Sequence, residues 1–259
     1  VSNPFQRDDL HLEEETHTYY LGDQPCTSVT QVVKSFKRPF KADEIAERCA
    51  VRDGMTKEAV LAQWEHKRDR AARIGTRAHL EIERYLNGCR EIDLAILVRL
   101  HQMSRFDYTV KAPWTKHFEA FLKYSQAHLL CSRVWPEVQI VDSELLLAGT
   151  VDVIGESADG LEIVDWKTSE KIEMTGYGKK LYAPLNKMDD CNFHVYRMQL
   201  NTYAHILETA YQQTVKHLSL VHLKGDGTFE TYDIPRNEDI TAKMLKKWRS
   251  KRDKGRIQS

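Results

Sequence analysis

The chain has no run of about 18 apolar residues, so no membrane span is expected. Its opening residues, Val1–Asp9, lack the apolar core of a secretory leader, and none is expected there. Cysteine is sparse and scattered. Cys26, Cys49, Cys89, Cys131 and Cys191 are odd in number and never form a Cys-x-x-Cys pair. That pattern argues against a disulfide framework and against a zinc ribbon. The default setting is then a reducing, intracellular one: the cytoplasm of a bacterium or of a virus-infected host, or a mitochondrion. No internal repeat, low-complexity tract or obvious linker breaks the 259 residues, which favours one domain. Net charge is also missing: the formal sum is +0. The sum hides an uneven distribution, because residues 236–256 carry nine Lys/Arg against three Asp/Glu. A local +6 on the tail leaves −6 on the body.

What is present is ordinary for a water-soluble globular chain: 41% hydrophobic and 29% charged residues. His17–Leu21 reads as a strand before the Gly22-Asp23 turn. Thr27–Phe36 reads as a capped short helix that Pro39 should interrupt, and Ala42–Val51 as another. A long helix is predicted from Thr56 to Leu86, with Thr56 as its cap and Asn87-Gly88 as its stop. Gly75, His79 and Glu83 lie four apart and share one face of it. Gly75 costs about 1 kcal/mol against alanine in a helix interior, so either a close backbone approach requires it or the helix tolerates it. Ile92–Ser104 and Trp114–Leu130 read as helices, and Val134–Val141 as a strand containing Glu137. Two further strands, Leu145–Gly155 and Leu161–Lys167, flank the short turn Glu156–Gly160 as a hairpin. Glu170–Cys191 has little periodicity and reads as a long mobile loop, a place where function concentrates. A helix over His194–Gln212, strands at Lys216–Lys224 and Thr228–Ile234, and a basic helix Glu238–Lys254 complete the chain.

The chemistry gathers on the hairpin. In a strand, residues i and i+2 face one way, so Asp165 and Lys167 emerge together with the Trp166 ring opposite. Asp152 lies on the other arm. Phosphodiester hydrolysis needs an activated water and relief of charge in the transition state, and divalent metals supply both. Mg²⁺ is satisfied by one or two carboxylates plus waters. Asp152 and Asp165 meet that need, with the Trp166 carbonyl as a third oxygen and His79 as a further ligand from the long helix. Lys167 would position or deprotonate the water, or stabilise developing charge. Plainer alternatives stand beside each role. They are a surface Asp–Lys pair, a packed or solvated His79, a strand-edge charge at Glu137, a core Tyr203 and a solvated basic tail.

Taken in order, Gly75-Thr76-Arg77-Ala78-His79, Glu137, Gly149-Thr150-Val151-Asp152, Asp165-Trp166-Lys167-Thr168-Ser169 and Gln199-Leu200-Asn201-Thr202-Tyr203 resemble the PD-(D/E)xK nuclease superfamily. The match is nearest its RecB-like exonuclease branch, which includes phage and mitochondrial single-strand exonucleases. The resemblance implies an α/β, restriction-endonuclease-like fold: a central mixed sheet flanked by helices. A helical N-terminal part (1–110), a catalytic core (111–235) and a basic C-terminal helix (236–259) would form one domain. It implies Asp152 and Asp165 as metal-binding acids, Lys167 as the signature lysine, His79 near the metal and Glu137 as an acid that joins the site. Gln199 and Tyr203 would share a helix face aimed at the site and the DNA.

Thr168, Ser169, Arg77, Lys179 and Lys180 are candidate phosphate contacts. Trp114, Tyr177 and Tyr182 are candidate stacking partners for unpaired bases. Mg²⁺ or Mn²⁺ is the expected cofactor. No iron–sulfur cluster is expected, because no cysteine follows Cys191. Val151-Asp152 replaces the superfamily's leading Pro-Asp. The expected function is a metal-dependent DNA nuclease acting from a free end on DNA that is single-stranded or becoming so, with no membrane partner. A catalytically silent nucleic-acid-binding or recombination subunit, and a phosphohydrolase of small esters, are the alternatives.

Overall fold

The computed structural model describes residues 3–88, 113–129, 131 and 133–255. The helix predicted over 92–104 lies outside the described residues. Leu10–Glu13 (β1), Thr18–Leu21 (β2) and Gln24–Ser28 (β3) form an antiparallel meander. Ser28 then starts helix α1 (Val29–Lys34). Its hydroxyl accepts from the Gln31 N–H, while the Gln31 side chain accepts from the Ser28 N–H. Helix α2 (Ala42–Asp53) ends on Gly54 at φ 65°, the left-handed turn that glycine adopts at least cost. Thr56 caps α3 (Lys57–Leu86), the long helix the sequence predicts. Then come α4 (Trp114–His128), β4 (Arg133–Asp142), β5 (Leu147–Ser157), β6 (Gly160–Lys167), α5 (Asn192–Thr209), β7 (Val215–Leu223), β8 (Phe229–Asp233) and α6 (Glu238–Arg252).

The eight strands among the described residues join one mixed sheet in the order β1-β2-β3-β5-β6-β7-β8, with β4 also on β5. The ladders on β5 decide where a site can open. β4 pairs antiparallel from Asp142 opposite Leu147 to Arg133 opposite Glu156, with a break in the ladder at Glu137 and Asp152. The other edge of β5 is shared. β3 runs parallel at Leu147 and Ala148, and β6 runs antiparallel from Val153 to Ser157. Residues 149–152 of that edge fall between the two ladders, so the sheet carries a notch there.

Both faces of the sheet are covered, as a mixed α/β sheet requires. One core joins Val151, Ile154, Ile163 and Leu220 to Val32, Val33 and Phe36 of the α1 region, to Met198 and Leu207 of α5, and to Met244 and Trp248 of α6. The opposite core joins Val153, Val164, Trp166 and Val221 to Ile82 of α3 and to Phe118 and Phe121 of α4. Strand β6 shows the alternation: Leu161 and Ile163 face the first core, Val164 and Trp166 the second. The basic C-terminal helix is therefore not only a charged tail, because its Met244, Leu245 and Trp248 are core. The described cysteines Cys26, Cys49, Cys131 and Cys191 are free thiols. No described helix is long and apolar enough to cross a membrane.

One expectation is corrected. The segment 170–191 is the long irregular connection expected, but it is anchored to the core rather than loose. Ile172, Leu181 and Leu185 are buried in the main core. The Tyr182 N–H donates to the Phe36 carbonyl at 2.8 Å, and the Leu181 N–H to the Met188 carbonyl at 3.1 Å. Its apolar residues are irregularly spaced because they anchor separate turns, so periodicity could not reveal them. Leu185→Ala should accordingly cost about 2–5 kcal/mol in urea unfolding. A loss below about 0.5 kcal/mol, the range for surface changes, would return the segment to the status of a surface loop.

Candidate functional site

The β4, β5 and β6 acids meet at the notch. Pro136 opposite Val153 and Val138 opposite Val151 place Glu137 across from Asp152. The β5–β6 ladder begins at Val153 opposite Val164, so Asp152 and Asp165 occupy the next position, where those strands part. There the Asp152 carboxylate takes over from the ladder: its Oδ2 accepts the Trp166 N–H at 2.7 Å. Glu137 holds a left-handed φ of 48°. A non-glycine residue in that region stores about 1–3 kcal/mol of strain, and such strain gathers at functional sites.

Two cations face these acids. Lys167 lies beside Asp165 on the same face of β6, with Nζ to Oδ2 at 2.5 Å. The same ammonium sits 4.8 Å from the centre of the Tyr196 ring. From α3, His79 Nδ1 lies 3.5 Å from Glu137 Oε1 and 3.6 Å from Asp152 Oδ1. The ligand-bearing atoms of His79, Glu137 and Asp152 are all within 4.8 Å of one another. Sequence reasoning grouped His79, Asp152, Asp165 and Trp166 as the metal set. The structure gathers Glu137 with His79 and Asp152, engages Asp165 with Lys167, and uses the Trp166 N–H to fix Asp152. The Trp166 ring packs edge-on against Phe121 and Tyr124 in the core.

The charges set the protonation states. Burial is the largest influence on Asp165 and pushes it up to about 6, with Lys167 opposing and Asp152 adding to the rise. Burial also raises Asp152, against the pull of His79 and Lys167. For His79, burial favours the neutral ring, yet Asp152 and Glu137 outweigh it and lift the imidazole to about 9. Burial works against the charge on Lys167 as well, and Asp165 and Asp152 overcome it, so its ammonium is held above the usual lysine value.

The helices fit the notch through two glycines. A Cβ on Gly75 would lie 2.9 Å from Thr168 Oγ1, so this glycine lets α3 approach the end of β6. A Cβ on Gly149 would lie 2.7 Å from Tyr203 Cε1, so the second glycine makes room for the tyrosine ring on β5. Tyr203 is buried and its OH accepts from Gln199 Nε2 at 2.9 Å. Burial raises its phenol well above the ordinary value, so it stays protonated. Ser169 is fixed through its carbonyl, 2.7 Å from His222 Nε2.

Other candidates lie elsewhere or are engaged. Arg77 pairs with the buried Glu81 and stacks over Trp114 at 5.4 Å. Lys180 pairs with Asp189. Lys179 and Tyr182 line a separate groove. Three residues escaped the sequence. Tyr196 precedes Gln199 by three on one helix, a spacing that could have marked it. Tyr19, whose OH is 2.8 Å from Thr150 Oγ1, and Thr30, 3.5 Å from Gln199 Nε2, have no local signal.

A sequence profile described as the PD-(D/E)XK nuclease superfamily matches residues 44–256, and the chain belongs to that superfamily. It is a nuclease, with the mixed sheet and flanking helices of that class. Among solved structures it is similar to SSO0001 at 16% identity and TM-score 0.31, over 63% of this chain and 72% of the other. It is also similar to a candidate exonuclease from Eubacterium rectale at 12% identity and TM-score 0.42, over 73% and 69%. No curated protein matches it.

Two outcomes follow from the geometry. Gly149→Ala should push Tyr203 off β5, costing about 1–3 kcal/mol in urea unfolding and lowering nuclease activity. The second concerns pH. His79 rises from its ordinary 6.5 to about 9 on folding. Its pairing with the acids therefore stabilises fully below pH 6.5 and fades as pH climbs through 9. Melting temperature of the metal-free protein should fall across that window, and His79→Gln should flatten the fall. An NMR titration midpoint for His79 below 7 would contradict the assignment.

Proposed function

We propose that this nuclease is a divalent-metal-dependent deoxyribonuclease that degrades DNA from a free end. The observation that carries the reading is the convergence of Glu137, Asp152 and Asp165 on three adjacent strands, with His79 and Lys167 against them. Carboxylates directly opposite on neighbouring strands repel. The His79, Glu137 and Asp152 donor set fits Mn²⁺ or Mg²⁺: two hard carboxylates satisfy either ion, and one imidazole is tolerated by the softer Mn²⁺. Asp165 and the Trp166 carbonyl would complete the oxygen ligands. When bound, such an ion lowers the pKa of a water and neutralises charge on the scissile phosphate.

The chain's own groups supply the rest. His79 would have to give up its proton to hold such an ion, which would link metal binding to pH. Lys167 is an ammonium at neutral pH. That favours its role as a fixed positive charge beside the developing phosphorane over the role of a base that removes a proton. Asp165 aims that ammonium. Tyr203, kept protonated and aligned by Gln199, offers a hydroxyl donor to a phosphate oxygen. Thr168, held close to Gly75, and Ser169 would border the strand as it enters. Because β4, β5, β6, α3 and α5 all contribute, the chain works in this reading as one domain. The free-end preference rests on the resemblance of the motif order to the RecB-like branch.

The test uses labelled linear and circular DNA with Mn²⁺ or Mg²⁺. Linear DNA should be degraded and circular DNA spared. Chelation should stop the reaction. Asp165→Ala and Lys167→Ala should each lower the rate by about 10²-fold or more. Mn²⁺ should raise the melting temperature of the wild type, as ligand binding to the native state must, and fail to do so in Asp152→Ala. Cleavage that survives chelation or Asp165→Ala would refute the metal-dependent reading. Binding without cleavage under either ion would favour the silent-subunit alternative.

A further inference from the structure

A second surface, away from the acids, has the composition of a strand-binding platform. Arg38, Lys41, Arg48 and Lys179 line a groove of about 330 Å³ with Glu44 and Tyr182. Four cations against one acid give this small surface a charge of +3. Lys41 is matched by Glu44 at 2.8 Å, whereas Arg48 and Lys179 have no ion pair among the described residues. Arg38 is fixed in place: its backbone N–H donates to Asp190 Oδ2 and its Nε to the Lys180 carbonyl, both at 2.9 Å. Its guanidinium lies 4.8 Å from the centre of the Tyr182 ring. Tyr182 is nonetheless 40% exposed, and Phe40, between the lining residues Pro39 and Lys41, is 67% exposed. Phe40 leans on Trp64 at a ring-centre distance of 5.9 Å. Large aromatic rings left open to water on a cationic surface are what unpaired bases and their phosphates need together.

The groove and the catalytic notch lie at opposite ends of helix α1. The Tyr182 N–H bonds the Phe36 carbonyl just past the C-terminal end of α1. At the other end of α1, Thr30 Oγ1 is 3.5 Å from Gln199 of the Gln199–Tyr203 pair. The six residues of α1 span about 9 Å.

We propose that this groove is a docking subsite for an unpaired polynucleotide strand. Phe40 and Tyr182 stack on bases, and Arg38, Arg48 and Lys179 contact phosphates, on the strand that continues from the catalytic notch. The inference rests on the nuclease reading of that notch and adds the surface that holds the unpaired strand, whether a single strand or a duplex whose end has opened. Recognition here is by π-faces and charge, so it is indifferent to base sequence.

Binding in chelator separates this subsite from turnover. Fluorescence anisotropy would give the affinity of the full chain for a labelled oligo-dT, for an abasic oligonucleotide of equal length, and for oligo-dT over a salt series. Phe40→Leu with Tyr182→Leu keeps the apolar bulk and removes the π-faces. This pair should weaken oligo-dT binding by about tenfold or more and leave abasic binding unchanged. Arg48→Gln and Lys179→Gln are surface changes that leave the fold intact. Each should reduce the slope of log affinity against log salt by about 0.7. Equal binding of abasic and base-bearing strands, or unchanged affinity and salt slope in all three variants, would overturn the subsite. Cleavage by the wild type with Mn²⁺ is scored separately. A failure there would count against the proposed reaction, and a failure in chelator only against the groove.

Discussion

The site depends on one electrostatic problem: carboxylates from three neighbouring strands are crowded into a place that excludes most water. Left alone, they would repel one another and resist burial. The fold answers with two cations of its own. Lys167 is held 2.5 Å from Asp165, and His79 sits between Glu137 and Asp152. The raised Asp152 and Asp165 show that the answer is incomplete, because burial still favours their neutral forms. An environment that resists negative charge on its own acids is one that a multivalent cation would relieve. Structure and chemistry therefore point the same way.

The notch is a consequence of topology. Antiparallel β4 occupies one edge of β5, and β3 and β6 take only the ends of the other. Four residues are left between them, and Asp152 ends that stretch. Its carboxylate accepts the Trp166 N–H, so the backbone of β6 is satisfied where the β5–β6 ladder stops. One side chain thus terminates the pairing of two strands and carries the charge of the site. The helices then dock where glycine allows. Gly75 brings α3 onto Thr168, and Gly149 brings the Tyr203 ring onto β5. These contacts set the position of His79 and of the Gln199–Tyr203 pair without any charged interaction.

Much of this was legible in the residues. The alternation of β6 placed Asp165 beside Lys167 and the Trp166 ring opposite, because strand periodicity is strict over eight residues. Thr56 and the Asn87-Gly88 stop marked α3, and the capped segment Thr27–Phe36 contained α1, whose cap the structure puts at Ser28. The open question at Gly75 resolves as a close approach, by Thr168 rather than by another backbone. Glu137 was harder. As one acid on a strand it resembled any edge charge; the motif order singled it out, and its register opposite Asp152 and its left-handed φ are what the structure adds. The segment 170–191 misled, because irregular turns bury leucines without a period. Tyr19 and Thr30 were invisible for a simpler reason: their partners, Thr150 and Gln199, are more than a hundred residues away.

By itself, then, the sequence determined the local elements, the hairpin that carries two acids and a lysine, and the motif order of the superfamily. These follow from interactions between near neighbours in the chain, where spacing alone decides which side chains share a face. Tertiary structure decided which carboxylate partners the imidazole, where the sheet opens, and that an apparently loose segment is core. It also placed an aromatic ledge beside unpaired arginine and lysine. Those outcomes depend on which distant strand takes which edge of β5, and no periodicity in a single segment records that choice.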